Sequence, residues 1–148
     1  MQDTPTIAAV RAFLSVIGEG EPPPNEGLAK ALDEIAMAYH HAPEGDPAED
    51  DRDPPDWDFK ARYAALGARF PQLGIYAVSD PSEAINKEAM CGDAIDDLTD
   101  IERDLSEVVW RFENVGANDA HWHFKLLYRS HWGRHLRELA LYVHASTW

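Results

Sequence analysis

The sequence predicts an all-α fold: a single-domain antiparallel helical bundle of about five helices. Three observations carry that prediction. Apolar residues recur at helical spacing in five separate stretches, segments rich in Pro, Gly or acidic residues divide them, and no stretch shows the alternation of a half-buried strand. A length of 148 residues fits one domain over residues 1–148 and is enough to bury a self-sufficient core.

Thr4 or Thr6 with Pro5 signals the first helix, and Ile7, Val10, Phe13, Leu14 and Ile17 continue it until Gly18 and Gly20. After Pro22, Pro23 and Pro24, Asn25 is placed to cap a second helix. Its stripe is Leu28, Ala31, Leu32, Ile35, Ala36 and Tyr39, and it ends near His40 or His41. Phe59, Tyr63, Leu66 and Phe70 mark a third helix that Pro71 stops. The signals weaken from Gln72 to Cys91, because LGIYAV is short, lacks alternation and runs into Asp80-Pro81; an irregular connection with one helical turn is expected there. The fourth helix runs from Gly92 to about Glu113 on Ala94, Leu98, Ile101, Leu105, Val108 and Phe112, with Asp93 at its start to offset the helix dipole. Asn118 or Asp119 can cap the fifth, which runs to about His144 and buries Phe124, Tyr128, Trp132, Leu136, Leu139, Tyr142 and Val143.

Between the second and third helices lies an acidic, Pro-rich loop at about 41–58, HAPEGDPAEDDRDPPDWD. Low apolar content and clustered like charge predict a solvated, mobile segment. The whole chain carries 27 acidic and 13 basic residues, a net charge of −14, which repels phosphate backbones and anionic lipid faces, so no nucleic-acid or membrane partner is expected. The first twenty residues lack a basic n-region and break their apolar run at Arg11, so they read as neither signal peptide nor membrane span. One cysteine, Cys91, makes no internal disulfide, and a cytoplasmic location is expected.

The strings GDAIDDLTDIERDLSEVVWRFEN, DAHWHFKLLYRSHWGRHLRELALYVH and RYAALGARFPQLGIYAV resemble the bacterial domain-of-unknown-function family 5063, as do FLSVI and LDEIAMAYH more loosely. The resemblance spans nearly all of the chain outside the acidic loop. It implies a cytoplasmic bacterial α-helical protein and carries over no catalytic residue, since that family has no assigned activity.

One constellation points to chemistry. Five of the seven histidines, His121, His123, His131, His135 and His144, fall in the fifth helix or its end. At about 100° per residue, His131 and His135 point inward with Phe124, Tyr128 and Tyr142, His121 lies near the other edge, and His123 and His144 point elsewhere. On the fourth helix Asp93, Asp97, Asp100 and Asp104 form a stripe beside the apolar face. Reversing the chain between Asn114 and Asn118 sets Asp100 opposite His131, and Asp96 or Asp97 opposite His135. Two histidines a helical turn apart, with a carboxylate from the facing helix, suit one divalent transition-metal ion, so the candidate ligands are His131, His135, Asp97 and Asp100. The plainer reading has Asp97 and Asp100 simply hydrogen-bonding the two imidazoles.

Other candidates carry less. Cys91 and Ser130 lack the flanking base a nucleophile needs, and Trp110, Trp122 and Trp132 sit at core spacing. Arg129, Arg134 and Arg137 are expected to form a solvated face that meets the acidic fourth helix. With no catalytic motif, the expected function is a non-enzymatic interaction or regulatory module whose acidic surface meets a basic protein partner and which needs no cofactor. The alternative is a metal-dependent hydrolase built on the His/Asp site.

Overall fold

Thr4 opens the first helix, α1 (Pro5–Gly18): its hydroxyl accepts the Ile7 amide at 3.2 Å, and Pro5 fills the first turn, where no amide donor is needed. The computed structural model describes residues 1–148 and is mostly helical. The second helix, α2 (Asn25–His41), starts after extended Pro24 with no side-chain cap, because Asn25 instead accepts the Gln72 amide. Asp58 caps α3 (Phe59–Arg69) by accepting the Ala61 amide at 3.0 Å.

The segment expected to be irregular contains a two-stranded antiparallel hairpin, β1 (Ile75–Val78) and β2 (Met90–Asp93), in which Ile75 faces Asp93 and Val78 faces Met90. Each strand spans four residues and one face stays exposed, so the period is too short to register in the sequence. The hairpin also shifts the next helix boundary. Gly92 lies in β2, Asp93 becomes the N-cap, and α4 runs Ala94–Asn114. The Asp93 carboxylate accepts the Ile95 and Asp96 amides at 3.0 and 3.3 Å. Cys91 is exposed on this hairpin.

The last helix is not uniform. It runs as α5 (Ala117–Leu127), a π turn (Tyr128–Trp132) and α6 (Gly133–Thr147), with right-handed helical backbone across both junctions. Gly116 occupies the cap position that Asn118 or Asp119 was expected to fill, and Asp119 has another use. Within the π turn the Gly133 N–H reaches the Tyr128 carbonyl, one residue further back than in an α-helix. A Cβ on Gly133 would lie 2.5 Å from that oxygen, so only glycine fits.

α4 is the central rod, packed against α1, α3, α5 and α6, while α2 closes the bundle across α1 and α6. A single apolar cluster fills the interior, with Ile7, Leu32, Leu66, Leu98, Leu105, Phe124, Trp132 and Leu139 fully buried in it. Trp110 and Trp122 are only partly buried, so of the three tryptophans expected in the core Trp132 alone is there.

The acidic segment is ordered rather than mobile. Asp119, 3% exposed, accepts the Ala48 amide at 2.9 Å, the Asn118 carbonyl accepts the Asp46 amide, and the Asn114 carbonyl accepts Arg52. Glu44 pairs with Lys125 and Arg129. Gly45 holds a left-handed φ of 67°, and a Cβ there would lie 2.3 Å from the Asn118 carbonyl oxygen, so the strap lies directly on the start of α5. Backbone hydrogen bonds anchor it, and charge patterning does not report those.

Candidate metal centre

The π turn and α6 pack antiparallel to α4, and their facing polar residues interleave. The His131 Nδ1 atom lies 2.5 Å from an Asp104 carboxylate oxygen, and His135 Nδ1 lies 2.7 Å from Asp97 Oδ1. Asp97 and Asp104 are 3% and 4% exposed. Anchoring each ring through Nδ1 turns both Nε2 atoms toward the carboxylate between them: His135 Nε2 is 3.4 Å from Asp100 Oδ2 and His131 Nε2 is 3.7 Å from Asp100 Oδ1. Asp100, His131 and His135 thus bring three ligand atoms within 4.8 Å of one another. The two rings stand edge to face, 4.7 Å between centroids.

Three of the four expected ligands therefore meet, and the fourth, Asp97, does not join them. Its two oxygens are committed, one to His135 Nδ1 and the other to the Tyr76 hydroxyl on β1. Both expected facing pairs are present, Asp100 with His131 and Asp97 with His135, and each ring also meets a second carboxylate: His131 reaches Asp104 and His135 reaches Asp100. Asp104 was in the acidic stripe but was not paired with a histidine. Counting outward from the turn matches one carboxylate to each ring, whereas each imidazole uses its two nitrogens to reach carboxylates on two successive turns of α4. Tyr76 carried no usable signal, since it reaches the site only through the hairpin. Its ring stacks on Tyr142 at 4.7 Å, and Tyr142 in turn accepts the Gly74 amide at 3.0 Å.

Charge at the site is balanced by proximity and burial. The hydrogen bond to Asp97 raises the His135 pKa against the opposing effect of burial, and the carboxylates of Asp100, Asp97 and Asp96 add to the rise. Burial lifts the Asp104 carboxyl above its ordinary range even though His131 pulls it down. Asp96, one turn before Asp100 on α4, is raised by burial and by the charge of Asp100. The burial of Tyr76, together with its bond to Asp97, keeps its phenol protonated. Arg103 donates to Asp100 Oδ1 at 3.0 Å, and its guanidinium lies over the Phe59 ring.

The remaining candidates fall elsewhere. His121 is buried against the Thr4 hydroxyl at 2.9 Å, and burial lowers its pKa. His123, expected to point outward, bonds the Asp119 carbonyl at 2.9 Å and is largely covered. The Ser130 hydroxyl donates to the Leu126 carbonyl. The three arginines do not meet α4: Arg129 pairs with Glu44, Arg134 with Glu138 and Asp80, and Arg137 donates to the Tyr128 hydroxyl. They leave the face that contacts α4 because histidines occupy it.

No family model matches the chain, and no curated protein matches it. Among solved structures it is similar to the crystal structure of protein BF1032 from Bacteroides fragilis, with a TM-score of 0.73 at 14% identity over 97% of this chain and 90% of that one. At that identity the likeness concerns the fold. No helix is long and apolar enough to cross a membrane.

Proposed function

We propose that this protein holds one divalent transition-metal ion between α4 and the last helix, with Asp100 of α4, His131 of the π turn and His135 of α6 as ligands. One observation carries the reading: both imidazoles are anchored at Nδ1 by buried carboxylates, and both Nε2 atoms are thereby aimed at a third carboxylate. Carboxylate-anchored histidine is the arrangement that fixes tautomer and basicity in metal sites. Bond lengths of about 2.0–2.2 Å place neighbouring tetrahedral ligands about 3.4 Å apart, near the separations from Asp100 to the two Nε2 atoms. Two nitrogen donors and one oxygen suit zinc, manganese, iron or nickel better than calcium or magnesium, which prefer all-oxygen shells. Such an ion would supply Lewis-acid activation of water, which supports the hydrolase reading. The protein is taken to be cytoplasmic and bacterial.

Elemental analysis of untagged protein, with melting curves in added zinc, manganese and nickel, tests the proposal. Saturation at a hundredfold excess over Kd stabilises the fold by about 2.7 kcal/mol. No bound metal and no shift in melting temperature would end the metal reading.

A second reading rests on the strap, where Glu49, Asp51, Asp53 and Asp56 are exposed and form no ion pair. Held in place on an ordered segment, they support an interaction module for a basic protein partner. Retention of basic proteins from a lysate at low salt, lost at high salt, tests it; no retention at low salt removes it.

A further inference from the structure

We propose that the trough between β1 and α6 binds an extended segment of a partner protein, acidic residues followed by alternating apolar ones, as a strand added to the free edge of β1. This inference stands apart from the metal reading. Backbone registry defines the edge. The Ala94 amide donates to the Gly74 carbonyl at 3.0 Å, and in an antiparallel ladder the bonded pairs recur at every second residue, at Tyr76 with Gly92 and Val78 with Met90. Ile75 and Ala77 therefore turn their amides and carbonyls away from β2, where no other backbone group bonds them.

That edge is not sealed against its neighbour. Tyr76, Ala77, Val78 and Ser79 line one cavity of about 400 Å³, with Leu141 and Ala145 of α6 across from them. Side chains alternate between the two faces of a strand, so four consecutive residues share a cavity only along an edge. Ile75 and Leu141 are left exposed as its apolar flanks. An extended chain answers both features: its donors and acceptors recur roughly every 7 Å, the step from Ile75 to Ala77, and its alternate side chains fall on the apolar wall of α6.

Charge sets the order of residues in the occupant. Past Ser79, Glu138 and Leu141 the trough continues into a second cavity of about 580 Å³ lined by Arg129, Arg134 and Arg137. Its carboxylates are Asp80 and Glu138, so the three arginines leave one positive charge in excess, on a chain whose net charge is −14. Arg129 is taken up by Glu44, and Arg134 by Asp80 and Glu138. Arg137 meets no carboxylate and gives one N–H to the Tyr128 hydroxyl, which leaves donors on its planar fork for an incoming carboxylate. The side chains of Arg129 and Arg134 are 51% and 59% exposed, so this end is open, the bound chain runs on through it, and the carboxylate belongs to a side chain rather than a terminus. The arginines lie beyond the C-terminal end of β1, so an antiparallel strand presents its acidic residues first.

Amide NMR of the isotope-labelled full chain, titrated with the peptide acetyl-Glu-Glu-Val-Thr-Val-Thr-Val-amide, provides the test, with Lys-Lys in place of Glu-Glu as the control peptide. The acidic peptide should shift the Ile75 and Ala77 amides saturably and slow their exchange with solvent, and the basic peptide should bind about tenfold more weakly. Ala77→Pro removes an edge donor that β2 does not use, so the fold should survive and binding should be lost. Arg137→Gln should weaken the acidic peptide by about tenfold, the loss of one charge-assisted hydrogen bond. No shift at millimolar peptide, equal binding of the two peptides, or unchanged binding by either variant overturns the proposal. So does a dimer of the protein alone that Ala77→Pro dissociates, because the edge then belongs to a second copy of this chain.

Discussion

Gly133→Ala sets two well-defined effects against each other. Alanine is favoured over glycine inside a helix by about 1 kcal/mol, so propensity alone predicts a more stable protein. The structure predicts the reverse. The new Cβ would stand 2.5 Å from the Tyr128 carbonyl oxygen and 2.9 Å from the Tyr128 ring, and that carbonyl is backbone already bonded to the Gly133 N–H. Overpacking against rigid atoms costs up to about 3 kcal/mol, which leaves a net loss of about 2 kcal/mol. Relief by converting the π turn to an α turn is no cheaper: it rotates everything beyond by about 100°, carrying Leu136, Leu139 and Val143 out of the core and His135 away from Asp97. For a chain of this size the melting temperature should fall by roughly 4–8 °C. Urea denaturation followed by circular dichroism measures the stability, and zinc calorimetry on the same variant measures the site. A midpoint equal to or above that of the wild type would refute the claim that the π turn needs glycine.

Three further outcomes are expected. Asp97→Asn keeps the shape but weakens the anchor on His135, and zinc affinity measured by calorimetry should drop about tenfold to a hundredfold; unchanged affinity would show that the anchor is irrelevant. The folded pKa of His135 lies above its unfolded value, so its stabilisation is fully present below about pH 6.5 and is lost as pH rises through the folded value. His135→Gln should therefore flatten the fall of the urea midpoint above that pH, His144→Gln at an exposed histidine should not, and a variant that keeps the full slope contradicts the pairing. Gly45→Ala, which combines a left-handed φ with a contact on the Asn118 carbonyl, should release the strap and speed cleavage of residues 42–58 by a Glu-specific protease; equal rates would mean the strap is held elsewhere.

The helices were legible because their stripes are long: Ala94 to Phe112 holds its spacing over five turns, and the buried set on α4 matches it. The hairpin was not, since IYAV and MCGD are too short to show a period and pair only across a long intervening loop. The π turn left a trace. Phe124, Tyr128, Trp132 and Leu136 follow at steps of four, each overshooting an α-helical turn by about 40°, and one extra residue takes back about 100° of the drift. At the site, inward-facing His131 and His135 and a facing aspartate could be read from helical phase, and Asp100 is where they converge. Which carboxylate anchors which ring depends on registry to within one residue, beyond what counting from a turn resolves, and Tyr76 enters through tertiary contact alone.

The polar side of α4 also dictates how the bundle can be assembled. Leucine and isoleucine stripes tolerate sliding by a turn, because one aliphatic side chain replaces another in the groove. Here Asp97, Glu102 and Asp104 are buried among them, each with a matching partner on a neighbouring helix: His135 and His131 on the last helix, and on α3 Arg62, whose fork grips Glu102 at 2.6 and 2.9 Å. A slip of one turn in either helix would strand at least one buried carboxylate without a donor, at several kcal/mol for each group. These pairs act as a lock-and-key code for assembly, selecting one alignment of three rods from several that apolar packing alone would accept.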